Sequence, residues 1–366
     1  MKILAAFHPT PFCNLDCSYC WAPNRTVRSK MPLSTFELAL DQIWRNREMN
    51  GLEVLWLTGE PLVMGIDYFR EAVDVCYRKA PAGSRPTFVV QTNGTLIDEN
   101  WCKFFIEHNF VVGVSIDGPQ EIHDAHRKTR LGTGTFVEVE RGVSLLTNWG
   151  VRGGAICVIT KETLNFPADD LFYFFHSKGI AWSYLIEASI GDNLNSPRAL
   201  AIEDLPKIEA YLSRLLDLWA KYPESYVRVF DQTARRAFGG ILPRFDFNNL
   251  GCLDILNVID NGDFFWGNPE LMTATLGPLK HLRKNILRED IWDFRSSPDF
   301  LSYQNNVYQG VSVCRETCAF FDGCQGGNPA HKYYELGTFS TADHVSCRLN
   351  EQVVGALMPW KMGSRL

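Results

Sequence analysis

Six apolar runs punctuate the first half of the chain, at residues 3–7, 54–57, 87–91, 111–116, 155–159 and 182–186, and read as buried strands. Between them the apolar positions recur at helical spacing, over residues 33–47, 68–79, 100–107, 136–149 and 167–178. Ser34, just before Thr35, Phe36 and Glu37, is the expected N-cap of the first helix. Strands separated by helices of this length pair in parallel through right-handed crossovers. The pattern therefore predicts an α/β fold, either a (β/α)6 partial barrel or a doubly wound sheet. In both, function collects at the carboxyl ends of the strands.

Beyond residue 186 the pattern changes twice. A turn-rich stretch around Ser196 and Pro197 leads into an amphipathic helix over residues 202–221 and then an irregular aromatic and basic segment. From Gly251 the residues up to Trp266 read as a hairpin with an Asn261–Gly262 turn, followed by closely spaced cysteines. Three parts are expected: residues 1–195, a helical bridge over 196–250, and a small cysteine-rich α+β domain over 251–366. In the bridge, Trp219, Tyr226, Arg228, Phe230, Arg235 and Arg236 have the spacing of helix packing, with a peptide groove as the alternative.

Charge narrows the choice of partner. A net charge of −6 over 366 residues gives no basic face for gripping nucleic acid. The densest basic stretch, Arg25 to Lys30, reads as a solvated loop or as a grip on a carboxylate-bearing substrate. No run approaches the roughly 20 apolar residues of a membrane span, and the N-terminus lacks a signal-peptide core, so a cytoplasmic location is expected.

The eleven cysteines fall into groups. Cys76, Cys102 and Cys157 stand alone and read as small core residues. Cys13, Cys17 and Cys20 form a trio that a closed four-ligand zinc site does not explain, whereas three thiolates suit a cubane iron–sulfur cluster with one open iron. Cys314, Cys318 and Cys324 form a second group, with Cys347 and Cys252 flanking it. The other unusual residues follow predicted strands: Thr58-Gly59-Glu60-Pro61, Thr92-Asn93-Gly94, Asp117-Gly118-Pro119 and Glu187.

The Cys13-x3-Cys17-x2-Cys20 spacing, with Tyr19 before the last cysteine, resembles the signature of the radical S-adenosylmethionine (SAM) superfamily. Leu57 to Leu62 resembles that family's Gly-Gly-Glu-Pro segment, with Thr58 in place of the first glycine. The resemblance implies that Cys13, Cys17 and Cys20 bind a [4Fe-4S] cluster whose open iron chelates SAM. It also implies that Tyr19, Gly59, Glu60, Asn93, Ser115, Asp117 and Arg127 contact the cofactor. Glu60 would accept from its amine, Ser115 and Arg127 would donate to its carboxylate, and Asn93 and Asp117 would reach its amino acid or ribose.

Residues 251–366 resemble a SPASM domain, which usually holds two auxiliary [4Fe-4S] clusters. In that pattern Gly267 and Asn328 stand where inner-cluster cysteines belong, leaving Cys252 as a remnant, while Cys314, Cys318, Cys324 and Cys347 supply all four outer ligands. One auxiliary cluster is therefore expected, with a tetrathiolate zinc site as the alternative.

The implied chemistry is hydrogen abstraction by a 5′-deoxyadenosyl radical. The implied substrate is a ribosomal precursor peptide, crosslinked from an aromatic ring to a β-carbon as a cyclophane. The alternatives are a dehydrogenase or epimerase acting on a sugar or amino acid, and a sulfatase-maturase-like Cys/Ser oxidase. Glu187 and Asp192 are the expected catalytic bases. A flavodoxin- or ferredoxin-like donor would supply electrons, and a separate protein, or the barrel with residues 196–250, would recognise a leader.

Overall fold

The computed structural model describes residues 1–187, 190–193, 196–237 and 250–361. All six expected strands form: β1 (Lys2–His8), β2 (Gly51–Trp56), β3 (Thr87–Thr92), β4 (Val111–Ser115), β5 (Gly153–Ile159) and β6 (Trp182–Ile186). Their connections carry α1 (Leu33–Arg45), α2 (Ile66–Lys79), α3 (Glu99–Glu107), α4 (Gln120–His126) with α5 (Phe136–Asn148), and α6 (Ala168–His176). Neighbouring strands pair in parallel and in unbroken chain order, β6-β5-β4-β3-β2-β1. A doubly wound sheet reverses its order at a switch point, so the singly wound option remains. Crossovers of one hand and one direction carry these helices to a common face of the sheet.

That face is aromatic. Trp56 of β2 lies with ring centroids 5.2 Å from Phe69 of α2 and 5.6 Å from Phe110, while Phe7 of β1 lies 4.4 Å from Phe36 of α1. All five rings are fully buried. Ser34 does not cap α1. The N-cap is Pro32, at φ −62°, with no side-chain hydrogen bond, and Ser34 falls inside the first turn.

The hairpin forms as expected, β7 (Ile255–Ile259) and β8 (Asp263–Trp266), with Gly262 at φ 84° in its turn. It does not stand apart from the first half: β7 pairs in parallel with the free edge of β1, and β8 and a short β9 (Lys284–Asn285) extend the same nine-stranded sheet. Between the two halves lie α7 (Leu205–Lys221) and α8 (Arg228–Ala237). Trp219 and Phe230 are buried against one another at 5.8 Å, Arg228 donates to Ser183 Oγ, and Arg236 to the Gly323 carbonyl. Tyr226, Arg228 and Arg235 are exposed. The chain closes with α9 (Ile291–Arg295), α10 (Pro298–Thr317), α11 (Phe321–Cys324), α12 (Pro329–Leu336), a π-helical turn (Cys347–Gln352) and α13 (Val353–Lys361). No helix among the described residues is long and apolar enough to cross a membrane.

A buried bridge holds the C-terminal part against α1. Gln42 donates through Nε2 to the Ile286 carbonyl at 2.9 Å and accepts through Oε1 from the Ile291 amide at 3.1 Å. Gln42→Leu keeps the packing volume but orphans both backbone groups. A loss of about 2 kcal/mol is expected, read as a lower urea midpoint at unchanged slope. An unmoved midpoint would show that the bridge contributes nothing.

Candidate active site

The parallel order brings every strand-end loop to one edge. The loop after β1 carries Cys13, Cys17 and Cys20, none of them in a disulfide. It is held from several sides. Cys13 N donates to Arg25 O and Cys20 N to Cys17 O, Arg130 donates to Cys13 O at 3.1 and 3.0 Å, and Ser18 N donates to His126 O. Arg25 is committed to this loop, paired with Asp16 at 2.8 Å and donating to Cys17 O, and Arg28 lies 4.2 Å over the Phe12 ring. Arg25 is thus half-buried in the loop, whereas residues 26–30, Arg28 and Lys30 included, are exposed as the solvated-loop reading expects.

The loop after β2 packs directly on the cysteine loop. Glu60 N donates to Phe12 O at 2.8 Å, and a Cβ on Gly59 (φ 60°) would lie 2.4 Å from Thr10 O, so only glycine fits there. Thr58 adopts φ 69°, a left-handed conformation that favours glycine. Its hydroxyl is held by His8 Nδ1 at 2.9 Å, while His8 Nε2 meets Asn257 Oδ1 at 3.0 Å. Burial lowers the His8 pKa to about 4, so this relay is neutral.

Glu60 is fully buried and accepts from Leu62 N, Thr92 Oγ1 and Asn93 N. Burial pushes its pKa up to about 7 against those three hydrogen bonds. Asn93 in turn donates to Asn14 Oδ1 at 2.8 Å and reaches Cys13 Sγ at 3.7 Å. Ser115 accepts from Gln91 Nε2 at 3.0 Å at the end of β4.

Tyr19, Asp117 and Arg127 meet one another. Arg127 binds Asp117 through Nε and Nη2, both at 2.9 Å, and the Tyr19 hydroxyl donates to the same carboxylate. Val158 N also donates to Asp117, and the Arg127 guanidinium lies 5.4 Å from the Tyr19 ring centroid. Burial alone would raise the Asp117 carboxyl, but the Arg127 charge and its hydrogen bonds outweigh burial and hold it below the usual carboxylate value. His126, unnoticed in the sequence, joins this group: its ring contacts Ser18 Oγ at 2.7 Å, Thr160 Oγ1 at 3.1 Å and Glu162 at 3.2 Å.

Glu187 follows β6 and is only 3% exposed. Its Oε1 accepts from Asn193 Nδ2 at 3.4 Å, whereas Oε2 has no partner among the described residues. Burial raises its pKa against that hydrogen bond and the Arg198 charge. Asp192 lies in the turn Gly191–Asn193, but its side chain is outside the described residues.

Three unbridged thiols on one loop suit a cationic cluster. Burial first, then Glu60 and the other two thiols, pushes Cys13 up to about 12, and burial outweighing Arg127 pushes Cys17 up to about 11. A bound metal–sulfur core supplies the missing positive charge and makes such thiols thiolates.

The second cysteine group lies elsewhere in the chain. Cys314 lies in the last turn of α10, Cys318 caps it, Cys324 ends α11 and Cys347 opens the π-helical turn. Burial, then Glu351, then Cys318 and Cys314 push the Cys347 thiol up to about 12, and Cys324 is raised by burial, Glu351, Cys347 and Cys314. The four thiols thus lie within electrostatic reach of one another. Among the described residues, no three His, Cys, Asp or Glu side chains converge closely enough to hold a single metal ion. Cys252, Cys76, Cys102 and Cys157 are buried.

The buried Asp117–Arg127 pair generates a stability prediction. Arg127→Met leaves a buried carboxylate unpaired and costs about 3 kcal/mol or more, while adding Asp117→Asn restores part of the loss. Denaturant titration of both single variants and the double variant reads the coupling; strictly additive losses would remove it.

Comparison with known proteins agrees with this geometry. Residues 7–168 match the radical SAM superfamily. The chain is 35% identical over 349 residues to the serine-type anaerobic sulfatase-maturating enzyme of Bacteroides thetaiotaomicron, covering 88% of this chain and 81% of the relative. Its fold is similar to that of native anSMEcpe solved with bound AdoMet and Cp18Cys peptide, at TM-score 0.80 and 20% identity over 99% of this chain and 98% of the other. It is also similar to Streptococcus suis SuiB bound to the precursor peptide SuiA, at TM-score 0.64 and 17% identity over 94% and 76% of the two chains. The chain belongs to the radical SAM superfamily.

Proposed function

We propose that this enzyme oxidises a side chain of a peptide or protein substrate, in the manner of a sulfatase-type Cys or Ser maturase. The observation that carries the reading is the unbridged Cys13/Cys17/Cys20 loop, braced against Glu60 and Asn93 at the carboxyl edge of the sheet. Similarity to a sulfatase-maturating enzyme over most of both chains places this reading ahead of the cyclophane crosslinking that the motifs alone suggested. Crosslinking remains as the second reading, and the replacement of two cysteines of the usual SPASM pattern by Gly267 and Asn328 is what a small-molecule dehydrogenase or epimerase would lead one to expect. In this view the sheet forms a partial barrel over residues 1–195, followed by the bridge at 196–250 and a SPASM-like unit at 251–366.

Cys13, Cys17 and Cys20 would hold the [4Fe-4S] cluster, Asn93 and Ser115 would contact SAM, and Glu60 and the Tyr19/Asp117/Arg127 group, satisfied within the chain, would brace the loops that carry them. Together these cofactors supply one-electron hydrogen abstraction from an unactivated carbon. The chain fixes the substrate carbon and excludes water. Glu187, buried with one free carboxylate oxygen and a raised pKa, takes a proton from the substrate. An external flavodoxin- or ferredoxin-like protein supplies electrons.

A single auxiliary cluster is supported by how the inner position is filled. A Cβ on Gly267 would lie 2.6 Å from the Tyr303 hydroxyl. Asn328 is committed to Asn268 at 3.0 Å, Glu270 at 2.7 Å and Ala330 N at 2.8 Å. Cys252 has the Tyr303 hydroxyl as its neighbour. In a Cys13/Cys17/Cys20→Ala variant, metal and sulfide analysis should find about four irons per chain. About eight would restore the inner cluster, and zinc without sulfide would replace the outer one.

Function is tested by anaerobic co-expression with the short open reading frames flanking the gene, followed by intact mass spectrometry and an aminooxy probe. Cys or Ser oxidation yields an aldehyde that reacts with the probe; a crosslink loses two hydrogens and does not react. Neither product should form with Cys17→Ala. Glu187→Gln should lower product at least about 100-fold while 5′-deoxyadenosine still forms, and equal losses of both would remove its role as a base.

A further inference from the structure

Lys332 of α12 is only 2% exposed, and it makes no ion pair among the described residues. Its Nζ lies 3.3 Å from the Gly310 carbonyl and 3.3 Å from Cys314 Sγ, both on α10. Glycine at 310 leaves this approach open, since a Cβ there would lie 3.3 Å from Nζ and 2.0 Å from Phe339 O. An ammonium group removed from water is costly unless an anion meets it. The nearby carboxylate of Glu335 is already occupied by Val345 N, Ser346 N, Ser346 Oγ and His344 Nδ1. Cys314 Sγ lies within hydrogen-bond distance of Nζ and can receive the charge as a thiolate.

A second nitrogen points to the same place. His344 is buried, Glu335 faces its Nδ1, and its Nε2 has no partner. A Cβ built on Gly327 would lie 3.7 Å from His344 Nε2, 3.9 Å from Lys332 Cε and 4.0 Å from Cys324 Sγ. The ammonium stem, the orphan ring nitrogen and a second thiol of the group therefore converge beside one glycine that leaves room between them.

We propose that Lys332 is the electrostatic positioning residue of the outer auxiliary cluster: its ammonium contacts the Cys314 thiolate and raises the cluster's reduction potential. His344 Nε2 completes the polar face. Adding one electron makes a thiolate-ligated cluster more negative by one charge, and a fixed positive charge against a ligand favours that form. This inference rests on the single-auxiliary-cluster reading above, and the test separates the two.

The parent is the reconstituted full chain with Cys13, Cys17 and Cys20 changed to Ala, which leaves only the outer cluster. Lys332→Met and Lys332→Gln remove the charge, and Lys332→Arg keeps it. Iron and sulfide are counted, and the cluster is titrated with redox mediators and followed by electron paramagnetic resonance. At the potential where the parent is half reduced, the neutral variants should show a reduced-to-oxidised ratio roughly tenfold lower, with Lys332→Arg near the parent. Loss of the cluster from both neutral variants but not from Arg, at unchanged melting temperature, would support the same charge pairing. Unchanged potentials in cluster-loaded neutral variants would overturn the inference and leave the cluster reading intact. Cluster loss from all three variants together with a lower melting temperature would assign Lys332 a packing role and also overturn it. A parent without iron and sulfide would overturn the cluster reading itself.

Discussion

The structure depends on β1 being hydrogen-bonded along both edges. On one side it takes β2, and through it the consecutive parallel strands; on the other it takes β7, which brings in the C-terminal third. A parallel strand cannot be reached by a tight turn, so each neighbour arrives with a crossover, and all carboxyl ends fall along one edge. The cysteine loop leaves β1 between β2 and β7 on that edge. His8, the last residue of β1, then touches Thr58 on one side and Asn257 on the other, so one imidazole couples the loop after β2 to β7.

What could be read in the sequence follows from the range of the forces involved. The six strands were legible because one face of each is buried and much of the other is half-buried, as in β3, β4 and β5, which keeps most positions of each run apolar. The pairing of β7 with β1 was not, because it joins residues about 250 positions apart and leaves no local signal. Ser34 failed as a cap because Pro32, two residues earlier, already sets the entry conformation of α1. Among the site residues, Cys13, Cys17, Cys20, Gly59 and Glu60 were legible from spacing. The mutual pairing of Tyr19, Asp117 and Arg127 was not, since their roles depend on which side chain meets which across separate loops. His8, His126 and Lys332 were missed because a lone histidine or lysine has no spacing to betray it.

Polar groups in the interior divide into two kinds. Glu60 and Asp117 are satisfied within the chain, which fixes the loops they join. Others among the described residues are buried without hydrogen-bond partners, Trp56 Nε1, Tyr211 Oη and Tyr303 Oη in the core as well as Glu187 Oε2 and His344 Nε2. A buried orphan costs free energy wherever it lies. What sets Glu187 and His344 apart is their place, one after the last parallel strand and the other beside the second thiol group.

The replaced inner-cluster positions fit the same division. The Tyr303 hydroxyl, buried without a hydrogen-bond partner among the described residues, occupies the space a side chain at 267 would need, and Asn328 uses both ends of its amide on Asn268, Glu270 and the start of α12. Glu270 is held in turn by His331 at 3.5 Å, and that pair shifts both partners toward their charged forms against burial. The space is thus filled by an aromatic side chain and a bound amide. Under the proposed reading this leaves the four outer thiols, with Lys332 against them, as the place where a second cluster is held.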